Sequence, residues 1–267
     1  MLQSLKILMI GCLFILLFYW YTAAVKDKQD NDQTQNIIKK TLTFDKVARD
    51  CYISSSANRL NDKNAPLVIF LHGLDGAWPS RKFTRSQYDF INQLAWKNNF
   101  IAVFPQGTQG ACHDPKVDTK NEFMFHYCWD TKTDKDRIFI KKLREAMITQ
   151  YKVNSKEVYL IGFSNGAYFV SDYFLFHQDN LFAGYSLYSG GAYEPEKSKT
   201  DFSKLKVSLN VGNKDKFQYE EMKSLKNFLL NKGMSESTNF KYFEYDASHE
   251  ISKKALESDI QFFFKKN

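Results

Sequence analysis

The sequence predicts an α/β fold in which helices cover both faces of one doubly wound, mostly parallel sheet. Three observations predict it. Short, wholly apolar runs stop at glycine or proline: Leu67–Leu71 before His72-Gly73, 100–104 before Pro105, and 158–161 before Gly162. Strands that are apolar on both faces belong to buried parallel sheets. Between these runs lie longer segments with apolar residues at helical spacing, so strand and helix alternate. Finally, 267 residues, 43% of them hydrophobic and including 24 Phe and 15 Tyr, supply bulk for one sizeable core.

The first 24 residues differ in kind. Lys6 precedes an apolar run from Ile7 to Tyr21, followed by Thr22-Ala23-Ala24-Val25 and then Lys26-Asp27-Lys28. A positive residue, an apolar stretch and small residues at the cut describe a secretory signal over residues 1–24, cleaved after Ala24. The run is short beside the roughly 20 residues of a bilayer span. The alternative is an uncleaved signal, with residues 7–21 as a membrane tether, since bulky Phe18-Tyr19-Trp20-Tyr21 stands near the cut. A lipoprotein reading through Gly11-Cys12 is weaker, because the apolar run continues well past that cysteine. Export to a periplasmic or extracellular space is the expectation. Residues 25–40 are polar and read as a flexible linker, leaving 41–267 as the folded domain.

Within that domain, 41–44 and 49–54 read as strands joined by a turn at Asp45-Lys46. Helices are expected over 86–98, with Phe90, Ile91, Leu94 and Ala95 on one face, and over 134–151, with Ile138, Phe139, Leu143, Met147 and Ile148. Later strands are expected at 205–211 and 240–245. The helix over 219–232 stops at Gly233, and a last helix covers 251–264. Right-handed crossovers then build the sheet, and ligand chemistry belongs at the C-terminal ends of its strands.

The formal charge is +7, from 37 Lys and Arg against 30 Asp and Glu. The lysines are scattered among acids without a run of five or six like charges, so no nucleic-acid partner is expected. Export removes Cys12 with the signal and leaves Cys51, Cys112 and Cys128 in an oxidising compartment. Cys112 and Cys128 bracket one polar segment. A bridge closing it contributes about 3 kcal/mol in the chain-entropy model. The alternative is a metal site built from Cys112, His113, His126 and Cys128, but no CxxC spacing supports it. Cys51 is left as a buried thiol.

Gly162-Phe163-Ser164-Asn165-Gly166 follows a buried strand and opens an apolar helix. In that setting G-x-S-x-G places a nucleophilic serine on a strained turn above the sheet edge. A serine hydroxyl needs a base. His249, just after the last strand, is the expected one, whereas His177 lies at the far end of the nucleophile's helix. Asp215, on the loop after the 205–211 strand, is the expected acid that orients the imidazole. Asp246, three residues before His249, is its rival, and Asp201 is weaker. An oxyanion hole needs two N–H groups. Asn165 supplies one, and Leu74, on the loop His72-Gly73-Leu74, supplies the other. His72 is expected to order that loop at the edge of the pocket.

Taken together, Leu-His-Gly-Leu-Asp-Gly, Phe-Pro-Gln-Gly, Cys-Trp-Asp, Gly-Phe-Ser-Asn-Gly-Ala, Gly-Asn-Lys-Asp and the late Ser-His give a sequence that resembles secreted serine esterases of the polyhydroxybutyrate depolymerase and feruloyl/acetylxylan esterase group. The resemblance covers about residues 50–265. It implies an α/β-hydrolase fold, Ser164, Asp215 and His249 as catalytic triad, no metal or organic cofactor, and Trp129 near the site as a wall of the substrate pocket. The chain lacks the second glycine that the group usually carries after His-Gly. The implied substrates are short-acyl, phenolic or polyester-type esters, since the motif encodes the reaction rather than the acyl group. Two other readings are a serine peptidase of the prolyl-oligopeptidase type, which normally carries an extra gating domain, and a binding protein that has kept the fold without catalysis.

Overall fold

The apolar runs become the interior of one eight-stranded sheet, seen in a computed structural model that describes residues 37–44, 47–54, 64–74, 82–112, 124, 126–177, 179–236 and 238–265. The expected signal segment, the linker up to residue 36 and the turn at Asp45-Lys46 lie outside the described residues. The strands are β1 (Ile37–Phe44), β2 (Val47–Ser54), β3 (Leu67–Leu71), β4 (Ile101–Pro105), β7 (Val158–Phe163), β8 (Gly184–Tyr188), β9 (Val207–Gly212) and β10 (Phe240–Tyr245). A separate two-stranded ribbon pairs β5 (Thr108–Gln109) with β6 (Tyr127–Cys128).

The order across the large sheet is β1-β2-β4-β3-β7-β8-β9-β10. β2 runs antiparallel to β1 and to β4, and every later pairing is parallel. β3, β4, β7, β8 and β9 are buried at every position, as a sheet covered on both faces requires. Helices α1 (Lys82–Asn98) and α5 (Lys253–Phe264) contribute Ile91, Leu94, Leu256 and Ile260 to one apolar layer. Helices α2 (Lys135–Tyr151), α3 (Asn165–Phe176) and α4 (Tyr219–Asn231) contribute Phe139, Leu143, Phe169, Tyr173 and Leu225 to the other. With the parallel strands pointing one way, the loops after β3, β7, β8, β9 and β10 share one edge.

The structure departs from the sequence expectation in the short β5–β6 ribbon, which was not expected, and more consequentially in β1 and β8. β1 begins at Ile37, so Ile37–Lys40 are strand rather than linker: their backbones continue an unbroken register with β2, Ile37 opposite Ser54 and Lys40 opposite Cys51. β8 was not foreseen, because Gly184 and Ser186 interrupt its apolar pattern. Both have structural work in the interior. A Cβ on Gly184 would meet the Phe263 ring at 2.7 Å. Ser186 donates to a buried carboxylate, Asp259 of α5.

Asp259 is fully buried and accepts from Ser186 Oγ (2.5 Å) and Tyr188 OH (2.5 Å) on β8, from Ser208 Oγ (2.6 Å) and Asn210 Nδ2 (2.9 Å) on β9, and from Lys241 Nζ (2.8 Å) on β10. A buried carboxylate is tolerable only when its lone pairs are occupied, and removing one member of such a set strands the others. Burial, reinforced by the Asp259 charge, pushes the Tyr188 phenol well above its ordinary value, so it remains a donor. One side chain thus ties three adjacent strands to α5. Asp259→Ala is expected to lower the unfolding free energy by about 3–5 kcal/mol in urea denaturation.

Cys112 is joined to Cys128, with Cα atoms 6.0 Å apart, while Cys51 is a buried free thiol. The bridge uses both cysteines of the alternative metal site. Burial pushes the Cys51 thiol up to about 12, and the thiolate is the reactive form. Iodoacetamide at mildly alkaline pH should therefore leave Cys51 unmodified in the native protein and label it after denaturation, as read by mass spectrometry.

Candidate active site

β7 passes into α3 through a single residue, Ser164, with φ 53° and ψ −117°. That backbone is strained for a residue with a Cβ. Its surroundings hold it. Ser164 N–H donates to the Tyr188 carbonyl of β8 at 2.8 Å, and the Ser164 carbonyl accepts from Ala167 (2.9 Å) and Tyr168 (3.1 Å) N–H. The turn also brings α3 hard against the sheet. A Cβ on Gly166 would lie 2.5 Å from the Leu71 carbonyl oxygen, and one on Gly162 would collide with the Gly166 carbonyl. Glycine at both positions is what allows the approach.

The loops after β9 and β10 bring two further side chains to this turn. His249 Nε2 stands 3.0 Å from Ser164 Oγ, and His249 Nδ1 stands 2.8 Å from Asp215 Oδ2. A carboxylate only accepts, so Nδ1 carries the imidazole proton and Nε2 is left to accept from the serine hydroxyl. Asp215 is 1% exposed, and its other oxygen accepts from the N–H groups of Phe217 and Gln218, both at 3.1 Å. The two loops are bound to each other through Lys214 N–H to the Ala247 carbonyl at 2.9 Å. The imidazole rests on the buried Phe163 ring, with centroids 5.0 Å apart.

Asp246, the rival acid, is turned away: it is 71% exposed and paired with Lys214 at 2.5 Å. Asp201 caps the short turn at Phe202–Lys204. His177 ends α3 beside Asp172, at 3.5 Å. None of these three meets Ser164.

Of the two N–H groups expected to face an oxyanion, Asn165 is the first residue of α3, where backbone N–H groups lie outside the intrahelical ladder. Leu74, 40% exposed, follows Gly73, at which a Cβ would be 3.1 Å from Ser164 Cβ. The β3 loop thus lies against the serine.

Two residues expected to line the pocket have interior tasks instead. Trp129 is only 2% exposed, its Nε1–H donates to the His72 carbonyl at 3.0 Å, and its ring packs against His72 and Phe169. It is a prop beneath the β3 loop, not a wall of an open cleft, because the indole N–H finds its acceptor only by turning inward. His72 is 8% exposed; its Nε2 accepts from Gly107 N–H at 3.0 Å and its Nδ1 lies 2.6 Å from the Gly73 carbonyl oxygen. Both ring nitrogens are engaged, so it orders the loop and does not face a ligand. The same support includes an unforeseen contact, the Asn165 side-chain oxygen accepting from Trp129 N–H at 2.7 Å.

Also unforeseen was Phe217, 78% exposed and edge-on to His249 with centroids 6.3 Å apart; a lone aromatic in Lys214-Asp215-Lys216-Phe217 was its only sequence signal. A cavity of about 320 Å³ bordered by Phe44, Arg49, Thr108 and Phe139 is lined by none of the residues gathered around Ser164. Among the described residues, no group of three or more His, Cys, Asp or Glu could hold a metal ion.

The sheet order, the single-residue turn at Ser164 and the loops gathered over it define an α/β-hydrolase fold. Residues 54–267 match the phospholipase/carboxylesterase family, and the chain belongs to that family. Among solved structures, a ferulic acid esterase is 15% identical with a TM-score of 0.63, over 85% of this chain and 97% of that one. The fluorophosphonate-binding serine hydrolase F of Staphylococcus aureus is 13% identical with a TM-score of 0.63, over 86% of this chain and 98% of that one. A bifunctional acetylxylan esterase/xylanase of Neocallimastix patriciarum is 27% identical over 123 residues, which are 46% of this chain and 15% of that protein. The chain therefore matches only a small part of that relative's length.

Trp129→Phe keeps an aromatic ring, though a smaller one, and deletes the donor to the buried His72 carbonyl. Urea denaturation should show a loss of about 1–3 kcal/mol, the cost of an unsatisfied buried acceptor.

Proposed function

We propose that this protein is a serine carboxylic-ester hydrolase with Ser164 as nucleophile, His249 as general base and acid, and Asp215 as the group that orients and stabilises the imidazole. The observation that carries this reading is the hydrogen-bonded line Ser164–His249–Asp215 mounted on a positive-φ turn. Ser164 Oγ attacks the ester carbonyl while its proton passes to His249 Nε2. The tetrahedral oxyanion is met by the N–H groups of Asn165 and Leu74, each worth roughly 3 kcal/mol in such sites. Collapse breaks the bond to the alcohol oxygen, which leaves with the proton from Nε2. Water then attacks the acyl-enzyme with His249 again taking a proton, and the acid and Ser164 are released.

Membership of the phospholipase/carboxylesterase family supports this chemistry. The ferulic acid esterase and acetylxylan esterase/xylanase likenesses favour short-acyl, phenolic or sugar-borne esters; polyester oligomers are a further class drawn from the sequence motifs alone. We place the protein outside the cytoplasm, in the periplasm or secreted, or tethered through residues 7–21. The Cys112–Cys128 bridge supports an oxidising compartment. No helix among the described residues is long and apolar enough to cross a membrane, and residues 7–21 lie outside them.

A fluorophosphonate probe should label Ser164, and Ser164→Ala should lose both the label and turnover of short-chain aryl esters while keeping its unfolding midpoint. Absence of label on the wild-type protein would overturn the reading. Asp215→Asn should lower kcat by about 10⁴-fold, the cost of losing the correct imidazole tautomer, whereas Asp246→Asn should stay near the wild-type value.

A further inference from the structure

We propose that Phe217 is the contact for the alcohol half of the ester and selects ring-bearing alcohols over open-chain ones. This rests on the ester-hydrolase reading of Ser164 and His249. The departing oxygen takes its proton from His249 Nε2, so it must come within about 2.6–3.2 Å of that atom. Whatever the oxygen carries must then lie beside the imidazole. One side of the imidazole is filled by Phe163, which is buried. Phe217 stands at the ring as well, edge-on at an interplanar angle of 81° and open to solvent.

Isolated surface phenylalanines are ordinary. This one is not free to wander. Its own N–H and that of Gln218 are held by Asp215 Oδ1, Tyr219 N–H donates to the Asp215 carbonyl at 3.1 Å, and the Gln218 side chain accepts from Tyr168 OH at 2.7 Å. The loop is thus fastened on both sides of Phe217, so the backbone that carries the exposed ring is held in place before any ligand arrives. Other exposed apolar side chains sit on loops of the same sheet edge: Leu74 after β3, and Tyr193, 63% exposed and stacked on Tyr168 of α3, after β8. Phe217 is the one whose ring meets the base. An aromatic face next to the proton donor suits a phenol or a pyranose, both of which present a broad apolar face, and gives a small open-chain alcohol little to touch.

The test compares three acetates on the full protein: phenyl acetate, an acetylated methyl xyloside and ethyl acetate. kcat/KM reports acylation, the step in which the alcohol is still present. Phe217→Ala keeps the backbone N–H that Asp215 uses. It is expected to lower kcat/KM for phenyl acetate, the xyloside or both by about five- to tenfold relative to ethyl acetate, with Phe217→Trp restoring the ratio. The ester that shows the drop identifies the phenolic or the sugar alcohol. Equal losses on all three acetates would overturn the proposal and make Phe217 a support for His249, and no loss on any would overturn it outright. Wild-type protein that turns over none of the three, and takes no fluorophosphonate label, would remove the underlying reading. Turnover with an unmoved ratio would remove the alcohol contact alone.

Discussion

The structure depends on one tight reversal, the five residues from Gly162 to Gly166. Here a buried central strand becomes a helix with only Ser164 between them, at a backbone angle that costs of order 1–3 kcal/mol for a residue with a side chain. Nothing inside the turn relieves that cost. It is met from outside, by the Tyr188 carbonyl on the next strand and by glycines that let Leu71 and His72 come into contact with the helix start. The serine is lifted to the sheet edge because β3, β7 and β8 are already side by side. A serine held this way needs the finished sheet, which is why the five-residue pattern says little outside a strand–helix setting.

The second requirement is that an imidazole and a carboxylate from distant parts of the chain meet over that turn. Their loops leave adjacent parallel strands, β9 and β10, which end level with each other at Gly212 and Tyr245. Lys214 and Ala247 then join the two loops directly. Below them, Asp259 grips β8, β9 and β10 together from α5. Control over the Asp215–His249 geometry therefore exists at two depths: hydrogen bonds between the loops, and a buried carboxylate that fixes the strands beneath. A distortion at either depth reaches Nε2, because the imidazole itself has one strong polar anchor and one aromatic support.

What the sequence made legible follows the same division. Leu67–Leu71 was readable to the residue because an uninterrupted apolar run ends at a sharp break, and Phe240–Tyr245 because its four aromatic residues mark a strand despite Lys241 and Glu244. Ser164, Asp215 and His249 were readable as candidates because their order and their positions after strands are dictated by topology. β8 was not readable. Its glycine and serine belong to packing against Phe263 and to the Asp259 network, and both partners lie more than seventy residues away in the chain. The first four residues of β1 are illegible for a related reason: backbone pairing with β2 overrides the polar character of Lys39 and Lys40. Trp129 was placed in the right neighbourhood and facing the wrong way, whereas His72 orders the β3 loop as expected. Residue type locates an aromatic near a site, but only the position of its hydrogen-bond partner decides which way it turns.

The inward placement of Trp129 and His72 bears on how specificity is divided in this molecule. Asn165 holds the Trp129 backbone, Trp129 holds the His72 carbonyl, and His72 holds Gly107. This chain of bonds runs beneath the β3 loop, where, on the proposed reading, Leu74 and Asn165 would present their N–H groups in a fixed geometry so that an oxyanion is stabilised without reorganisation. Side chains spent on that task cannot also read a substrate, because turning outward to do so would break the bonds that hold the loop. Recognition must then fall to the solvent-facing side chains of the surrounding loops, whose conformations are set by the same machinery while their surfaces stay open. Phe217 meets both conditions: its backbone is part of the Asp215 anchor and its ring is not. Substitutions in the buried support should alter every ester alike, whereas substitutions among the exposed loop residues should separate one ester from another.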